Sequence, residues 1–277
     1  MAQTEMSRLL QRDPAILTGT APQPEMSRLL EGDFAIVTGA AGGIGRAIVS
    51  AFLEAGAGGV LIADYDEERS KDTVTGFKAL GYDNVFYKKT DVTEADSLSE
   101  LVETGLDISE GKIDILVNNA GISINNTLPN MTMEEFDQTL AINLRAPIRL
   151  AKLVVPSMIE NGRGVINNAS SVVGEDGNKG QLAYGTAKGG LIIATICMAR
   201  DLAQFGIRAN CVAPGFTDTK MLDDVRPDVI EGYIKRTPIR RLATPEDIAQ
   251  AHVYLASWKM SAYVTGETIR VDGGLHL

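Results

Sequence analysis

Short apolar runs alternate with longer stretches of mixed polarity along most of this chain. Phe34-Ala35-Ile36-Val37-Thr38 is the first run, and residues 60–63, 85–87, 113–117, 164–168, 208–212 and 268–271 repeat the theme. Runs this short, bounded by turn signals, suit strands buried on both faces. The intervening segments suit helices. One passes through Arg46-Ala47-Ile48-Val49, a polar one begins near Glu67, and one covers about 95–104. A long one covers about 133–159 and carries Pro147 and Pro156, and another covers about 184–205. This alternation predicts a single α/β domain: a doubly wound parallel sheet with helices on both faces.

The first 40 residues depart from that order. Glu5-Met6-Ser7-Arg8-Leu9-Leu10 recurs as Glu25-Met26-Ser27-Arg28-Leu29-Leu30, and Ala15-Ile16-Leu17-Thr18-Gly19 mirrors Ala35-Ile36-Val37-Thr38-Gly39. The first copy runs into Ala21-Pro22-Gln23-Pro24, where two prolines in three residues prevent a helix. The second copy continues into a glycine-rich loop. Two copies are too few for a solenoid. Residues 1–24 are expected to be a mobile or loosely packed extension, a partial duplicate of 25–40. An added edge strand or oligomer contact is the other reading, and Met26 is a second position at which the chain could start. The main domain is placed at 25–277.

Composition narrows the function classes. With 44% hydrophobic and 22% charged residues, the chain is ordinary globular material. Acids outnumber bases 36 to 26, a formal charge of −10, which disfavours nucleic acid and anionic membranes as partners. No apolar run approaches the ~18 residues of a bilayer span, and the N-terminus has no signal pattern. Cys197 and Cys211 are too few for a disulfide framework and read as small buried hydrophobes. A soluble, cytoplasmic protein is expected. His252 and His276 are the only histidines, no spacing resembles a metal site, and Trp258 reads as a packing anchor.

Candidate chemistry begins after the first strand. Thr38-Gly39-Ala40-Ala41-Gly42-Gly43-Ile44-Gly45 joins that strand to its helix. Glycines let backbone approach a pyrophosphate, and the helix N-terminus supplies free N–H groups and a positive dipole. The second strand ends in Asp64, a carboxylate placed to accept hydrogen bonds from adenosine ribose hydroxyls and to repel a 2′-phosphate. Neither Ala41 nor Gly42 is basic, although Arg46 lies just past Gly45. NAD(H) is therefore preferred over NADP(H). Asp91 and Val92, after the third strand, would bracket the adenine by the same topology.

Tyr184 and Lys188 are four apart on one helix, so they share a face. A free phenol, of pKa ~10, is a poor base at neutral pH, and a neighbouring ammonium lowers that value. Ser171 follows the fifth strand, 13 residues upstream of Tyr184. Both sit at carboxyl ends of strand–helix units, where open α/β sheets place their ligands.

With Thr38-Gly39-x-x-x-Gly43-x-Gly45, Asn118-Asn119-Ala120-Gly121, Asn143, Ser171, Tyr184-x-x-x-Lys188 and Pro214-Gly215 in order, the chain resembles a classical short-chain dehydrogenase/reductase over about residues 30–277. Ser171-Val172-Val173-Gly174, Tyr263-Val264-Thr265-Gly266-Glu267-Thr268 and Val271-Asp272-Gly273-Gly274 are most similar to the 3-oxoacyl-(acyl carrier protein) reductase-like branch. The resemblance implies a Rossmann-type fold and a set of roles. Tyr184 would be the general acid in reduction and the base in oxidation. Lys188 would lower the Tyr184 pKa and hold the nicotinamide ribose. Ser171 would hydrogen-bond the substrate oxygen, and Asn143 would position a water leading from Lys188 to solvent. Asn118, Ala120 and Gly121 would pack beside the cofactor; Pro214, Gly215, Thr217 and Thr219 would face the nicotinamide. It also implies a homotetramer, with the helices near 133–159 and 184–205 paired between subunits.

Residues 218–242 would form an amphipathic helical lid, with Met221, Leu222, Val225, Val229, Ile230, Tyr233 and Ile234 as its apolar positions. The substrate should therefore have a hydrophobic portion. An acidic acyl carrier would need basic residues near Glu160-Asn161-Gly162-Arg163 and Ala203-Gln204-Phe205-Gly206, and only Arg163 and Arg208 are close. The reading is an NAD-dependent oxidoreductase of a small-molecule secondary alcohol/ketone pair. The alternatives are an NADPH-dependent 3-oxoacyl-(acyl carrier protein) reductase and a non-catalytic cofactor-binding regulator.

Overall fold

The computed structural model describes residues 28–223 and 225–276. The duplicated leader, and Met26 with it, lies outside the described residues. Seven parallel strands form one sheet in the order β3-β2-β1-β4-β5-β6-β7. They are β1 (Phe34–Thr38), β2 (Gly59–Asp64), β3 (Val85–Lys89), β4 (Ile115–Asn118), β5 (Gly164–Ala169), β6 (Ile207–Pro214) and β7 (Thr268–Val271). The order reverses direction between β1 and β4, which opens a crevice at their carboxyl ends.

The helices are α1 (Gly43–Glu54), α2 (Glu67–Ala79), α3 (Ala95–Ile108), α4 (Met133–Leu140), α5 (Ala146–Glu160), α6 (Val173–Asp176), α7 (Leu182–Leu202), α8 (Pro227–Arg236), α9 (Pro245–Ala256) and α10 (Trp258–Ser261). Ala35 and Val37 of β1 pack with Ile48, Phe52, Phe77 and Val253, from α1, α2 and α9. Phe34 and Ile36 point the other way, onto Leu98, Leu101, Leu150 and Val154 of α3 and α5. Alternate side chains of one strand thus feed two cores, so both periods of the strand must be apolar.

The long helix expected over 133–159 is not one regular helix. A π-helical segment, Ala141–Arg145, separates α4 from α5 and places Asn143 inward. Pro147 falls in the first turn of α5, where its missing N–H costs nothing. α7 lies close to the helix expected over 184–205 but is more apolar than the sequence reading allowed: Leu182–Phe205 is long and apolar enough to cross a membrane by length and composition alone. It packs against α6 and β6 and carries Tyr184 and Lys188. Its outward side is apolar too, with Ile193 61% exposed. Cys197 is exposed there, contrary to the expectation that both cysteines are buried; Cys211, in β6, is buried. A helix apolar around its circumference gives no periodic signal for which face turns out.

Candidate active site

A cavity of about 1020 Å³ runs along the carboxyl ends of the strands, from Asp64 and Asp91 to Ser171, Tyr184 and the 216–225 segment. At one end, α1 begins with Gly42 as its cap residue, no side-chain cap and no acid in its first turn. Three other helices carry side-chain caps at their amino ends. Asp66 caps α2, and Thr132–Glu135 and Thr244–Asp247 form capping boxes on α4 and α9. The amino end of α1 is left for something else to satisfy. Gly39 (φ +63°) and Gly43 (φ +55°) are left-handed, and a Cβ on Gly39 would lie 2.8 Å from the Ala120 Cα. A loop kept this bare, ending in an uncapped helix, fits a pyrophosphate. The donor set therefore suits a dinucleotide.

Not every residue of the glycine motif and the Asn118–Gly121 run faces that space. Gly39, Gly43, Ile44, Asp64, Asp91, Val92, Ala120, Gly121, Pro214, Gly215, Thr217 and Thr219 line it. Thr38 is 2% exposed, and its Oγ1 accepts from the N–H groups of Asn119 and Ala120, both at 3.0 Å. Gly45 makes room for the Gly39 carbonyl. Both are framework. Asn118 corrects the expected cofactor contact more sharply. Its Nδ2 donates to Asn168 Oδ1 (2.8 Å), and Asn168 Nδ2 donates to Thr195 Oγ1 (2.8 Å). The side chain is spent under the floor of the cavity. Asn119, within the run Asn118–Gly121 expected beside the cofactor, lines the cavity instead and ties the Thr38 and Gly39 carbonyls (3.0 and 3.1 Å).

Asp64 stands where β2 ends. One carboxylate oxygen accepts from Ala41 N (2.9 Å), the other from Asp66 N (3.0 Å). Arg46 does not face the cavity: its guanidinium lies 5.9 Å from the centroid of the Phe77 ring. Arg69, from α2, does line it, and a Cβ on Gly42 would collide with its guanidinium.

At the other end, Ser171 and Tyr184 share a side-chain hydrogen bond. Lys188 is 4% exposed; its Nζ donates to Ala169 O (2.6 Å) and lies 5.7 Å from the Tyr184 ring centroid. Burial lowers the Lys188 pKa from 10.5 to about 8. The Tyr184 phenol moves opposite to the sequence expectation. Burial raises its pKa, with the Ser171 hydrogen bond acting against the rise. Spacing brings the ammonium near, but desolvation sets the direction of the shift.

Asn143 is fully buried behind this pair. Its Nδ2 donates to Ile122 O (2.9 Å) and Thr139 O (3.0 Å), and its Oδ1 accepts from Ile122 N (3.3 Å). Both amide hydrogens are used, so only Oδ1 can face Lys188. A Cβ on Gly121 would sit 2.6 Å from that oxygen and 3.4 Å from Lys188 Nζ, which shows how closely the two flank this glycine.

The expected lid is less helical than its pattern suggests. A short turn, Lys220–Leu222, precedes α8, and α8 has no fully buried residue. Met221, Leu222 and Val225 line the cavity, with Phe216, which stacks on Tyr233 at a 3.4 Å centroid separation. The Tyr233 hydroxyl donates to Asn178 Oδ1 (3.2 Å), anchoring α8 to the loop before α7. The two basic residues weighed as a carrier dock are occupied elsewhere. Arg163 pairs with Asp33, and Arg208, 4% exposed, lies 4.6 Å from the Trp258 ring centroid.

Comparison with known proteins agrees with this site. A family model described as enoyl-(acyl carrier protein) reductase matches residues 39–276. The 3-oxoacyl-(acyl carrier protein) reductase of Chlamydia pneumoniae is 38% identical over 233 residues, 84% of this chain and 92% of that protein. The enzyme of the same name from Thermotoga maritima is 40% identical over 236 residues, 85% of this chain and 94% of its own length. A 7α-hydroxysteroid dehydrogenase, solved with NADH and 7-oxo glycochenodeoxycholic acid, superposes with a TM-score of 0.87 at 34% identity, over 92% of this chain and 98% of that one. The chain belongs to the short-chain dehydrogenase/reductase family of nicotinamide-dependent oxidoreductases.

Proposed function

We propose that the protein reduces the ketone of a 3-oxoacyl thioester to the secondary alcohol. The observation that carries this reading is the grouping of Ser171, Tyr184 and Lys188 at one end of the cavity, with a phenol that is protonated at neutral pH, as phenols are, and whose pKa burial raises further. A protonated phenol is the acid that ketone reduction needs. The identity to two 3-oxoacyl-(acyl carrier protein) reductases supports the substrate class, as do Phe216, Met221, Leu222 and Val225 along the cavity.

A dihydronicotinamide supplies the hydride when bound, with the glycine loop, Asp64, Asn119 and Thr219 holding its dinucleotide. Ser171 and Tyr184 donate hydrogen bonds to the ketone oxygen and polarise the carbonyl. As the carbon accepts hydride, the carbonyl π pair moves onto oxygen. Tyr184 gives that oxygen its proton, forming the alcohol and leaving a phenolate. Lys188, protonated below its pKa of about 8, stabilises the phenolate. Asn143 Oδ1 holds a water beside Lys188, through which the phenol regains its proton from solvent.

Oxidation of a secondary alcohol with NAD is the second reading. Asp64 at the end of β2 favours it, as do the pairing of Arg163 with Asp33 and the burial of Arg208, which draw both cations away from an acidic carrier. We further propose a homotetramer. Ile148, Ile159, Ile193 and Cys197 leave α5 and α7 with exposed apolar positions that subunit pairing would cover. Sedimentation at micromolar concentration tests this, and a lone monomer rejects it.

The deciding experiment follows oxidation of NADH and of NADPH with acetoacetyl-CoA. Turnover that falls at least about 10³-fold in Tyr184→Phe supports the thioester reading. Dinucleotide binding without turnover refutes it and directs the search to alcohols in the oxidative direction. Equal turnover in Tyr184→Phe refutes the catalytic assignment.

A further inference from the structure

We propose that the carboxyl end of α8 holds the phosphate groups of a coenzyme A thioester, with Arg236, Arg240 and Lys179 as the cations that meet them. This deepens the thioester reading of the active site and rests on it. The Arg236 guanidinium lies 4.4 Å from the Tyr233 ring centroid. Tyr233 in turn stacks on Phe216, which lines the cavity, and its hydroxyl donates to Asn178, the chain neighbour of Lys179. Stacked planar groups thus lead from the cavity wall to a cation at the surface. Arg240 joins Arg236 there, because its guanidinium donates to the Lys235 carbonyl.

The charge of these cations is not spent within the fold. The acids of α8, and those of α6 and the first turn of α9, are paired with other bases. Asp228 pairs with Arg226 (3.1 Å), Glu231 with Lys235 (2.6 Å) and Asp247 with Arg241. Arg270 holds both Asp176 (2.9 Å) and Glu175. Arg236, Arg240 and Lys179 are exposed and have no ion-pair partner among the described residues. Arg240 also sits in a left-handed backbone conformation, φ +60°. A glycine would make the same turn with less strain, so the turn itself does not need the guanidinium. Pro238 and Ile239, exposed between the two arginines, add apolar surface beside them. Guanidinium forks next to apolar surface suit the phosphates and purine of a nucleotide.

A pantetheine arm separates the ketone of a coenzyme A thioester from its phosphates. The ketone can therefore reach Tyr184 while the phosphates stay at the rim beside α8. An acyl carrier protein presents the same arm with one phosphodiester on an acidic body. The chain as a whole carries a charge of −10. A compact basic patch on such a surface suits the small polyanion of a nucleotide, whereas the broad acidic face of a carrier would meet repulsion around it.

The test is steady-state reduction by the full chain of acetoacetyl-CoA and of acetoacetyl-N-acetylcysteamine, which keeps the thioester and lacks the phosphates. Wild type should show a KM for the CoA thioester at least about tenfold below that for the truncated one. The double variant Arg236→Gln/Arg240→Gly should raise the KM for acetoacetyl-CoA about 10- to 100-fold, the worth of one or two charge-assisted hydrogen bonds, with kcat within about threefold. Its KM for the truncated thioester should change less than about threefold. Inhibition by adenosine 3′,5′-bisphosphate should weaken in parallel. Arg240→Gly alone keeps the turn and should give part of the effect. Equal KM increases for both thioesters would assign the arginines to lid packing through Tyr233 and overturn the proposal. So would a wild type indifferent to the phosphates, which leaves the thioester reading standing. A loss confined to an acetoacetyl-carrier thioester, with acetoacetyl-CoA unchanged, would assign the patch to a carrier protein and overturn it too. Absence of turnover by wild type with either thioester would overturn the reading beneath it as well, and shows before any substitution.

Discussion

Replacing Lys188 with Met should abolish turnover and yet stabilise the ligand-free protein. The buried ammonium has its pKa lowered from 10.5 to about 8. At ~1.4 kcal/mol per tenfold change in proton affinity, holding the charge in the fold at pH 7 costs about 3 kcal/mol. Methionine fills similar space without the charge, but it forfeits the hydrogen bond to Ala169 O, worth about 1–2 kcal/mol. The net expectation is a gain of about 1–2 kcal/mol, a rise of roughly 2–6 °C in Tm for a domain of this size. The pH dependence separates this cause from generic repacking. A lysine whose folded pKa is lowered is charged in both states below pH 8. Between pH 8 and 10.5 the unfolded chain binds more protons than the folded one, so wild-type stability from this group rises with pH. By pH 9.5 about 2 kcal/mol of the penalty is gone, and the Met variant should be no more stable than wild type. Chemical denaturation at pH 7 and 9.5, at fixed protein concentration, reads both values. A variant less stable than wild type at pH 7, or an advantage that does not shrink with pH, would refute the reasoning.

Asn118→Leu should destabilise the fold by about 1–3 kcal/mol, because it leaves Asn168 Oδ1 buried without its donor; dinucleotide Kd should change less than about threefold, since the side chain faces away from the cavity. Gly121→Ala should lower kcat about 10²-fold with little change in dinucleotide affinity, as its methyl would press on Asn143 Oδ1 and Lys188 Nζ; single-turnover kinetics with separate binding titrations would show the split. His252 is fully buried, neither ring nitrogen has a hydrogen-bond partner, and its pKa is lowered from 6.5 to about 3. The unfolded chain takes up this proton below pH 6.5 while the folded one does not, so stability falls with pH from 6.5 to 3. His252→Leu should flatten the decline in ΔG between pH 7 and 5 by about 2 kcal/mol, and an unchanged slope would assign the acid sensitivity to other groups.

The sheet was legible because its central strands are buried on both faces and the longer helices between them show clear boundaries. β1, β2 and β7 lie close to where the apolar runs place them. The π segment was not legible, because Ala141–Arg145 contains nothing that forbids an α-helix; the bulge depends on Asn143 bonding the 122 backbone across the chain. Exposure of Cys197 was equally hidden. A helix apolar on two faces does not say which one meets the sheet and which awaits another partner.

The two ends of the cavity show where sequence reading of a site runs out. Tyr184 and Lys188 are visible from spacing alone, because a helix puts positions four apart on one face. The direction in which the phenol's pKa moves is not visible, because it is set by how deeply the fold buries the group. At the cofactor end, Asp64 is visible as the last residue of a strand, and Ala41, Gly42 and Arg46 are the natural places to seek a compensating cation. The cation that faces the cavity comes from α2 instead, five residues beyond Asp64. It gets there because Asp66 caps that helix, and because Gly42 has no side chain to bar it. Which charged groups meet the cavity is a property of the fold around the motif, and the motif's own residues do not show it.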